Sequence, residues 1–240
     1  MNTIKVEKGR TKMIAHRGVS GLETENTNAA FIAAGNRSYW GVETDVHPTA
    51  DGRLILIHDS NTKRVCGEEM IVEETDSAVL RNLRVKDLIL GDEGRTDLRL
   101  PFLSEYVDLC KKYEKVCVLE LKNKFSEEDV LRVLEEIRRL DYWEGMVYIS
   151  FRRENLECLR RHAPDSVAQF LASEINEEIF SYAKENGFGL DIHHVQLTEE
   201  WVRRCNEAGV VLNCWTVNDR ETAERLISWG IDMITTNILE

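Results

Sequence analysis

The sequence predicts an α/β fold of the TIM (β/α)8 barrel type, in which eight parallel strands alternate with helices. Apolar, β-branched runs of strand length alternate with segments of helical periodicity along most of the chain, a pattern typical of βα units and a parallel sheet. The length of 240 residues suits one barrel of eight such units. No glycine-rich nucleotide loop of the kind found in doubly wound folds follows the first strand.

Nine apolar runs have the length and composition of strands. They cover residues 12–15, 41–46, 54–57, 116–121, 146–150, 167–171, 188–192, 210–217 and 232–235. Seven segments between them repeat apolar residues with a helical period. They cover residues 26–36, 103–113, 127–140, 153–162, 174–186, 199–208 and 221–229.

One run does not fit the alternation. Residues 54–57 follow residues 41–46 without room for a helix, and the Asp-Gly pair at 51–52 is a strong hairpin signal. We therefore interpret the run as a hairpin arm after the second strand, which leaves eight barrel strands. Residues 61–99 are charged, weakly periodic and too long for an ordinary βα loop. We predict a single domain over residues 1–240, with this segment as an insertion near the active face.

The composition excludes several classes of partner. Lys and Arg number 31 and Asp and Glu number 43, which gives a net charge of −12. Proteins that bind nucleic acid or anionic membranes carry patches of excess Lys and Arg, so we expect no nucleic acid and no stable membrane association. The N-terminal residues lack a secretory apolar stretch, and the six cysteines form no CxxC pair. We expect reduced thiols and a cytoplasmic protein; the sequence predicts no particular oligomeric state.

Ionisable residues follow the predicted strands at the end where barrel enzymes carry their chemistry. The first four apolar runs each end in, or are followed directly by, such residues. These are His16, Arg17, Glu43, Asp45, His58, Asp59, Glu120 and Lys122. Side chains two apart on a strand point to the same face. Glu43 and Asp45 therefore point to one face of their strand, and Glu120 and Lys122 repeat the same spacing on theirs.

The three carboxylates Glu43, Asp45 and Glu120 can converge as oxygen ligands. Hard oxygen ligands without cysteine suit Mg²⁺ or Ca²⁺ better than Zn²⁺. The alternative is that each carboxylate only forms a salt bridge with a neighbouring Lys or Arg. Because buried like charges are costly unless a cation compensates them, we predict one divalent cation, Mg²⁺ or Ca²⁺.

His16 and His58 form a second pair of interest. A lone histidine beside a core strand is more often structural than catalytic, but two with ordinary pKa values near 6.5 can divide acid and base roles near neutral pH. Arg17 offers a planar fork for phosphate oxygens, and Lys122 offers a point charge. These two cations predict a local anion site within an acidic protein.

Other features allow two interpretations. Trp215 ends an apolar run and is either core or a wall of the substrate pocket. His193 and His194 follow the sixth barrel strand and are interpreted as loop or substrate-wall residues rather than ligands. Asn26 or Thr27 is predicted to cap the first helix.

The stretch IAHRG…ENTNAAFIAAG…GVETDVHPTADGRLILIHD, residues 14–59, resembles the opening of the glycerophosphodiester phosphodiesterase family. The family pattern is HRG, ENT with a following AF, E-x-D-V, T-x-D-G and HD. The match continues in order through LPFLSEYVDLC, LELK, SF, CWTVND and GIDMITTN. The resemblance spans nearly the whole chain.

The resemblance implies a TIM barrel and metal-dependent hydrolysis of a small-molecule glycerophosphodiester to sn-glycerol 3-phosphate and an alcohol. It also implies a role for each matching position: metal ligands Glu43, Asp45 and Glu120, a general acid and base at His16 and His58, phosphate contacts at Arg17 and Lys122, and a glycerol-pocket wall at Trp215. Thr24 departs from the family, which usually has proline there, and residues 61–99 look little like it.

Some alternatives stay open. The attacking group is either water or the neighbouring glycerol hydroxyl, and either histidine can be the acid. A phospholipase-D-like lysophospholipid hydrolase resembles the same barrel family, but such secreted enzymes are expected to carry an export signal and disulfides. A catalytically silent barrel that binds a phosphodiester is a further alternative, although losses at the histidine or carboxylate positions usually mark such proteins and all five positions are filled here.

Overall fold

The computed structural model describes residues 2–91 and 95–240. The strands in that part of the chain are β1 (Lys12–Ala15), β2 (Gly41–Pro48), β3 (Leu54–Leu56), β4 (Val116–Leu121), β5 (Met146–Ser150), β6 (Ala168–Ala172), β7 (Gly189–His193), β8 (Leu212–Trp215) and β9 (Met233–Thr236). The α-helices there are α1 (Asn28–Gly35), α2 (Lys63–Cys66), α3 (Ser77–Asn82), α4 (Leu103–Lys112), α5 (Glu127–Arg139), α6 (Arg153–His162), α7 (Glu177–Asn186), α8 (Glu199–Ala208) and α9 (Arg220–Ser228).

The predicted (β/α)8 barrel is confirmed. Eight strands are parallel neighbours in the order β8, β7, β6, β5, β4, β2, β1 and β9, and β3 pairs antiparallel with β2 as the predicted hairpin arm. The two ends of this order meet at β8 and β9. There the Val217 amide donates to the Thr235 carbonyl at 3.1 Å, and Asn213 Nδ2 donates to Thr235 Oγ1 at 3.1 Å.

The helices begin where side chains can accept their free N–H groups. Five of these caps are Thr27, Ser126, Asn176, Thr198 and Asp219. Of the two candidates for the first cap, Thr27 is the one whose side chain accepts the amide of Ala30. In α5 the buried residues Val130, Val133, Leu134 and Ile137 recur with helical spacing, which lays one face of the helix on the barrel.

Apolar side chains fill the barrel below the end where the strands finish. This inner layer consists of Ile14, Val118, Val147, Ile149, Leu171 and Met233. A larger apolar layer lies between the strands and the surrounding helices. Because the inner layer is close-packed, it fixes the strand ends that carry the polar residues.

The segment that the sequence predicts as an insertion folds against the hairpin arm. It contains α2, α3 and a 3-10 turn at Val72–Glu74, and residues 92–94 of it lie outside the described residues. Its apolar side chains form a separate cluster with β3: Ile55, Ile57, Val65, Val72, Leu80, Leu83, Val85, Leu98 and Leu100. Thr24 joins this segment to the loop before α1, since its hydroxyl accepts the Leu88 amide at 2.9 Å.

All six cysteines are free thiols, as the sequence predicts, and five of them are buried. Across residues 2–91 and 95–240, no helix has both the length and the apolar character needed to cross a membrane.

Candidate active site

Three buried carboxylates meet at the carboxyl end of the barrel. Glu43 and Asp45 lie on β2, and Glu120 lies on β4 directly opposite Asp45 in the parallel register. One oxygen from each lies within 4.8 Å of the others. Asp45 Oδ1 is buried and accepts no hydrogen bond, and the Lys122 ammonium lies 3.4 Å from it. This acidic group could hold a divalent ion, and its oxygens fit Mg²⁺ or Ca²⁺.

The carboxylates repel one another strongly. Burial raises the pKa of Glu43 well above its ordinary value, and the charges of Asp45 and Glu120 raise it further. Burial and the charge of Asp45 raise the pKa of Glu120 to about 8. Burial also acts to raise the pKa of Asp45, but Lys122 and Arg17 outweigh it and hold that pKa below its usual range. A divalent cation would relieve this repulsion, which is the electrostatic signature expected of a metal site.

Asn26 orients one of the three carboxylates, although the sequence suggested only a helix cap at this position. Its Nδ2 donates to Asp45 Oδ2 at 2.8 Å, and its Oδ1 accepts the Thr44 hydroxyl at 2.7 Å. The backbone at Asn26 has a φ of 51°, a conformation that asparagine tolerates better than most residues. The only signal in the sequence for this role was the choice of asparagine, rather than serine, at position 26 just before the helix.

Two cations flank the carboxylates. Lys122 Nζ lies 2.9 Å from Glu120 Oε1 and 3.4 Å from Asp45 Oδ1. Arg17 Nε lies 3.5 Å from Asp45 Oδ2 but makes no hydrogen bond there. That buried N–H is therefore free to donate to a phosphate oxygen.

The loop after β1 is shaped to bring its side chains to the site. The Arg17 amide donates to Glu43 Oε2 at 2.8 Å, which fixes the turn over the carboxylates. Gly18 follows with a φ of 77°, and a Cβ there would lie 2.6 Å from the Ala30 backbone. Only glycine therefore lets α1 pack this close to the loop that carries His16 and Arg17.

The two histidines have different partners. His16 Nδ1 donates to Asn237 Oδ1 at 2.7 Å, and its Nε2 lies 3.9 Å from Glu43 Oε2. Burial lowers the pKa of His16 to about 4, and the positive charge of Arg17 contributes to this. His58 Nδ1 instead bonds Asp59 Oδ1 at 2.8 Å. Burial lowers its pKa too, while the charge of Asp45 opposes that effect.

A chain of ion pairs joins His58 to Arg17 around the rim of the site. Arg64, on α2, bonds both Asp59 oxygens at 2.7 and 3.1 Å and both Glu25 oxygens at 2.8 Å. Glu25 Oε1 in turn accepts Arg17 Nη1 at 2.9 Å. Bonding by Arg64 lowers the pKa of Asp59 to about 2. Sequence reasoning missed Glu25 and Arg64, because Arg64 reaches the site only through the folded insertion.

These residues surround a cavity of about 180 Å³. Its lining consists of His16, Arg17, Glu43, His58, Glu120, Lys122, Ile149, Phe151, Leu171, Asp191, Trp215 and Thr235. The family resemblance assigned roles to eight residues, and seven of them are in the lining. The eighth, Asp45, belongs to the acidic cluster but is not in the lining. Phe151, Asp191 and Thr235 are lining residues for which the sequence suggested no role.

Aromatic rings form one wall of the cavity. Trp215 meets Phe151 edge to face, with ring centroids 5.7 Å apart, and its Nε1 donates to the Asp191 carbonyl at 3.2 Å. His193 packs on the outer side of Trp215 at 5.0 Å, and His194 packs on His193 at 5.3 Å. Trp215 therefore borders the pocket, while the two histidines support it from behind.

A (β/α)8 barrel that ends in a buried carboxylate cluster, two cations and two histidines has the arrangement typical of barrel enzymes, whose chemistry lies at the carboxyl ends of the strands. The sequence profile of the Glycerophosphoryl diester phosphodiesterase family matches residues 16–240, and the chain belongs to this family. The predicted family and enzyme class are thereby confirmed.

Similar proteins match the chain over almost its whole length. The chain is 28% identical to a glycerophosphodiester phosphodiesterase of Caldanaerobacter subterraneus, over 95% of this chain and 94% of the relative. It is 37% identical to a probable glycerophosphodiester phosphodiesterase 1 of Mycobacterium tuberculosis, over 97% and 91%. An Oleispira antarctica phosphodiesterase, solved in complex with the product sn-glycerol-3-phosphate, has a TM-score of 0.88 and 25% identity, over 97% and 95% of the two chains.

Proposed function

We propose that the protein hydrolyses small glycerophosphodiesters to sn-glycerol 3-phosphate and an alcohol, with one divalent cation, Mg²⁺ or Ca²⁺, held by Glu43, Asp45 and Glu120. The observation that carries the proposal is the buried acidic cluster in a cavity that it shares with two cations and two histidines. The product complex of the Oleispira antarctica relative supports this choice of substrate. When bound, such a cation polarises the phosphoryl group and stabilises the charge of the transition state.

The phosphate is oriented by the protein's own cations. Arg17 Nε is a buried donor without a hydrogen-bond partner, and Lys122 keeps its charge because Asp45 and Glu120 raise its pKa against the effect of burial. Together they hold the phosphate oxygens beside the carboxylate cluster. The cavity of about 180 Å³ is smaller than the roughly 300–1,000 Å³ of pockets that enclose drug-sized ligands, which favours a glycerol phosphate over an acylated lipid.

The partners of the two histidines assign their roles in this proposal. Asn237 accepts the Nδ1 proton of His16, so Nε2 is left as a proton acceptor, and the low pKa of about 4 keeps it neutral. Burial lowers the pKa of His58, but the hydrogen bond of Asp59 and the charge of Asp45 both oppose this and favour the imidazolium. His16 is thus the base that takes the proton of the attacking hydroxyl. His58 is the acid that gives a proton to the alcohol oxygen as its bond to phosphorus breaks.

An assay that couples the release of sn-glycerol 3-phosphate to glycerol-3-phosphate dehydrogenase tests the reaction and the cofactor together. Purified protein is treated with EDTA, each metal is added back, and turnover is measured on glycerophosphocholine, glycerophosphoethanolamine and glycerophosphoglycerol. We expect turnover that requires the metal and falls on the order of 10²-fold or more in His16→Ala and His58→Ala. His162→Ala is the matched control, since His162 lies on α6 and bonds Glu127. Near-full activity in both site variants would contradict the proposal.

A reactive substrate separates the acid from the base. A p-nitrophenyl leaving group needs no proton, so glycerophospho-p-nitrophenol should restore most of the activity of His58→Ala and none of that of His16→Ala. The opposite pattern would exchange the two roles.

A further inference from the structure

One buried carboxyl group in the cavity is not part of the acidic cluster. Asp191 lies on β7 and is 1% exposed, yet it lines the cavity. Its Oδ1 is buried without a hydrogen-bond partner. Its main-chain carbonyl holds the Trp215 indole at 3.2 Å, so the carboxyl and the aromatic wall are fixed relative to each other.

A polar edge continues from Asp191 toward the barrel seam. Asn213 is its register partner on β8, and the amide of Asn213 bonds the hydroxyl of Thr235 at 3.1 Å, which also lines the cavity. The neighbouring inner residues Ile149 and Leu171 are apolar. A buried carboxyl oxygen without a donor is costly in such surroundings, so packing alone gives no reason for this residue.

The charge of the substrate determines which part can meet Asp191. The phosphate is drawn to Arg17 and Lys122, which carry the positive charge of the cavity. Burial raises the pKa of Asp191 well above its ordinary value, so its carboxyl favours a neutral hydrogen-bonding group, and in a small cavity of about 180 Å³ the glycerol hydroxyls are the groups available. We propose that Asp191 binds the terminal hydroxyl of the glycerol moiety and so selects glycerol over polyols or alcohols that lack it. This inference rests on the proposed function.

A pair of substrates tests the contact directly. Glycerophosphocholine is compared with its analogue built on propane-1,2-diol 1-phosphate, which keeps the hydroxyl next to the phosphate ester carbon and lacks only the terminal one. We expect wild-type kcat/KM to be about 10- to 100-fold lower for the analogue. Asp191→Leu should lose the same factor on glycerophosphocholine and less than about threefold on the analogue, and Asp191→Asn, whose amide oxygen still accepts a hydrogen bond, should lie between.

Gln169 provides a matched control. It lies on the neighbouring strand β6 and is equally buried, and its Oε1 also lacks a partner. It lines a separate cavity of about 500 Å³ that also includes Lys12 and Val116, from the starts of their strands. Gln169→Leu should therefore leave the preference between the two substrates unchanged.

Each other outcome has a defined meaning. An equal loss on both substrates in Asp191→Leu, or no preference in the wild type, would overturn the inference while leaving the proposed function intact. A loss confined to choline and ethanolamine esters, and not seen with glycerophosphoglycerol, would also overturn it, because Asp191 would then bind the cationic headgroup. Absence of wild-type turnover with any metal would overturn the proposed function and this inference together. If neither Asp191 variant folds, the wild-type comparison alone decides.

Discussion

Replacing Glu120 by glutamine should stabilise the metal-free protein at alkaline pH. Burial and the charge of Asp45 raise the pKa of Glu120 from 4.5 to about 8. Between these values the unfolded chain has released the proton and the folded protein keeps it, so the contribution of Glu120 to the free energy of unfolding falls as the pH rises through this window. At about 1.4 kcal/mol per pH unit, the fall is about 3 kcal/mol at pH 7 and about 5 kcal/mol above pH 8.

Glutamine resembles the protonated acid, so the variant should escape this loss. Part of the gain is offset because Lys122 Nζ loses its partner at 2.9 Å, although Asp45 remains at 3.4 Å. We expect a net gain of about 2–4 kcal/mol at pH 8.5 and almost none at pH 4.5. The same substitution should remove a metal ligand, and with it the stabilisation of about 3 kcal/mol that a cation gives at a hundred times its Kd.

Urea unfolding followed by tryptophan fluorescence measures both effects, at pH 4.5, 7 and 8.5, in EDTA and with added Mg²⁺ or Ca²⁺. Glu200→Gln serves as the control, because Glu200 is exposed on α8 and pairs only with Arg203 among the ion pairs of the described residues. A stability difference between wild type and Glu120→Gln that is the same at pH 4.5 and 8.5 in EDTA would refute the reasoning, because the lowered pKa values of His16 and His58 act equally in both proteins. So would a Glu120→Gln variant that responds to the cation as the wild type does.

Three further predictions concern the rim and the wall of the cavity. Arg64→Gln breaks the ion-pair chain to Asp59, so His58 loses its orientation while the substrate keeps its contacts. Steady-state kinetics should therefore show a kcat about 10-fold lower with KM nearly unchanged. Trp215→Ala should raise KM about 10-fold while Trp215→Phe keeps most of the affinity, since the wall needs an aromatic ring; equal effects would argue against a wall. Thr24→Val leaves the Leu88 amide without its acceptor and should cost about 1–3 kcal/mol in urea unfolding.

The barrel could be predicted from the sequence because its signals are local. Eight apolar runs and the segments between them carry the periods of strands and helices, and the Asp-Gly pair at 51–52 marks the hairpin. The carboxylates Glu43, Asp45 and Glu120 could be found because strand ends in a barrel meet at one edge. No knowledge of the loops is needed for that inference, and the register of Asp45 opposite Glu120 agrees with it.

The supporting residues could not be predicted in the same way, because their roles depend on tertiary contacts. Asn26 and Thr27 are adjacent candidates for one cap, and only the folded chain shows that Thr27 caps the helix while Asn26 turns to Asp45. Arg64 comes from a segment whose periodicity is weak, and it reaches Glu25 across 39 positions of sequence. Asp191 sits in the middle of an apolar strand, where a sequence pattern cannot tell an inward acid from an outward one.

The formal charges of the site suggest an order of binding. Glu43, Asp45 and Glu120 face Arg17 and Lys122, and both histidines have lowered pKa values that favour their neutral forms. Without a metal, Glu120 keeps its proton near neutral pH because its pKa is raised to about 8, and the pKa of Glu43 is raised as well. The metal-free site is therefore net negative only at alkaline pH, where all three acids are ionised, and there it would repel a phosphodiester in a protein of net charge −12. A divalent cation reverses the sign, so at alkaline pH the diester should bind only after the metal. Titration calorimetry at that pH should then detect glycerophosphocholine binding to His16→Ala with the metal present and not in EDTA, and equal affinity in both conditions would exclude this order.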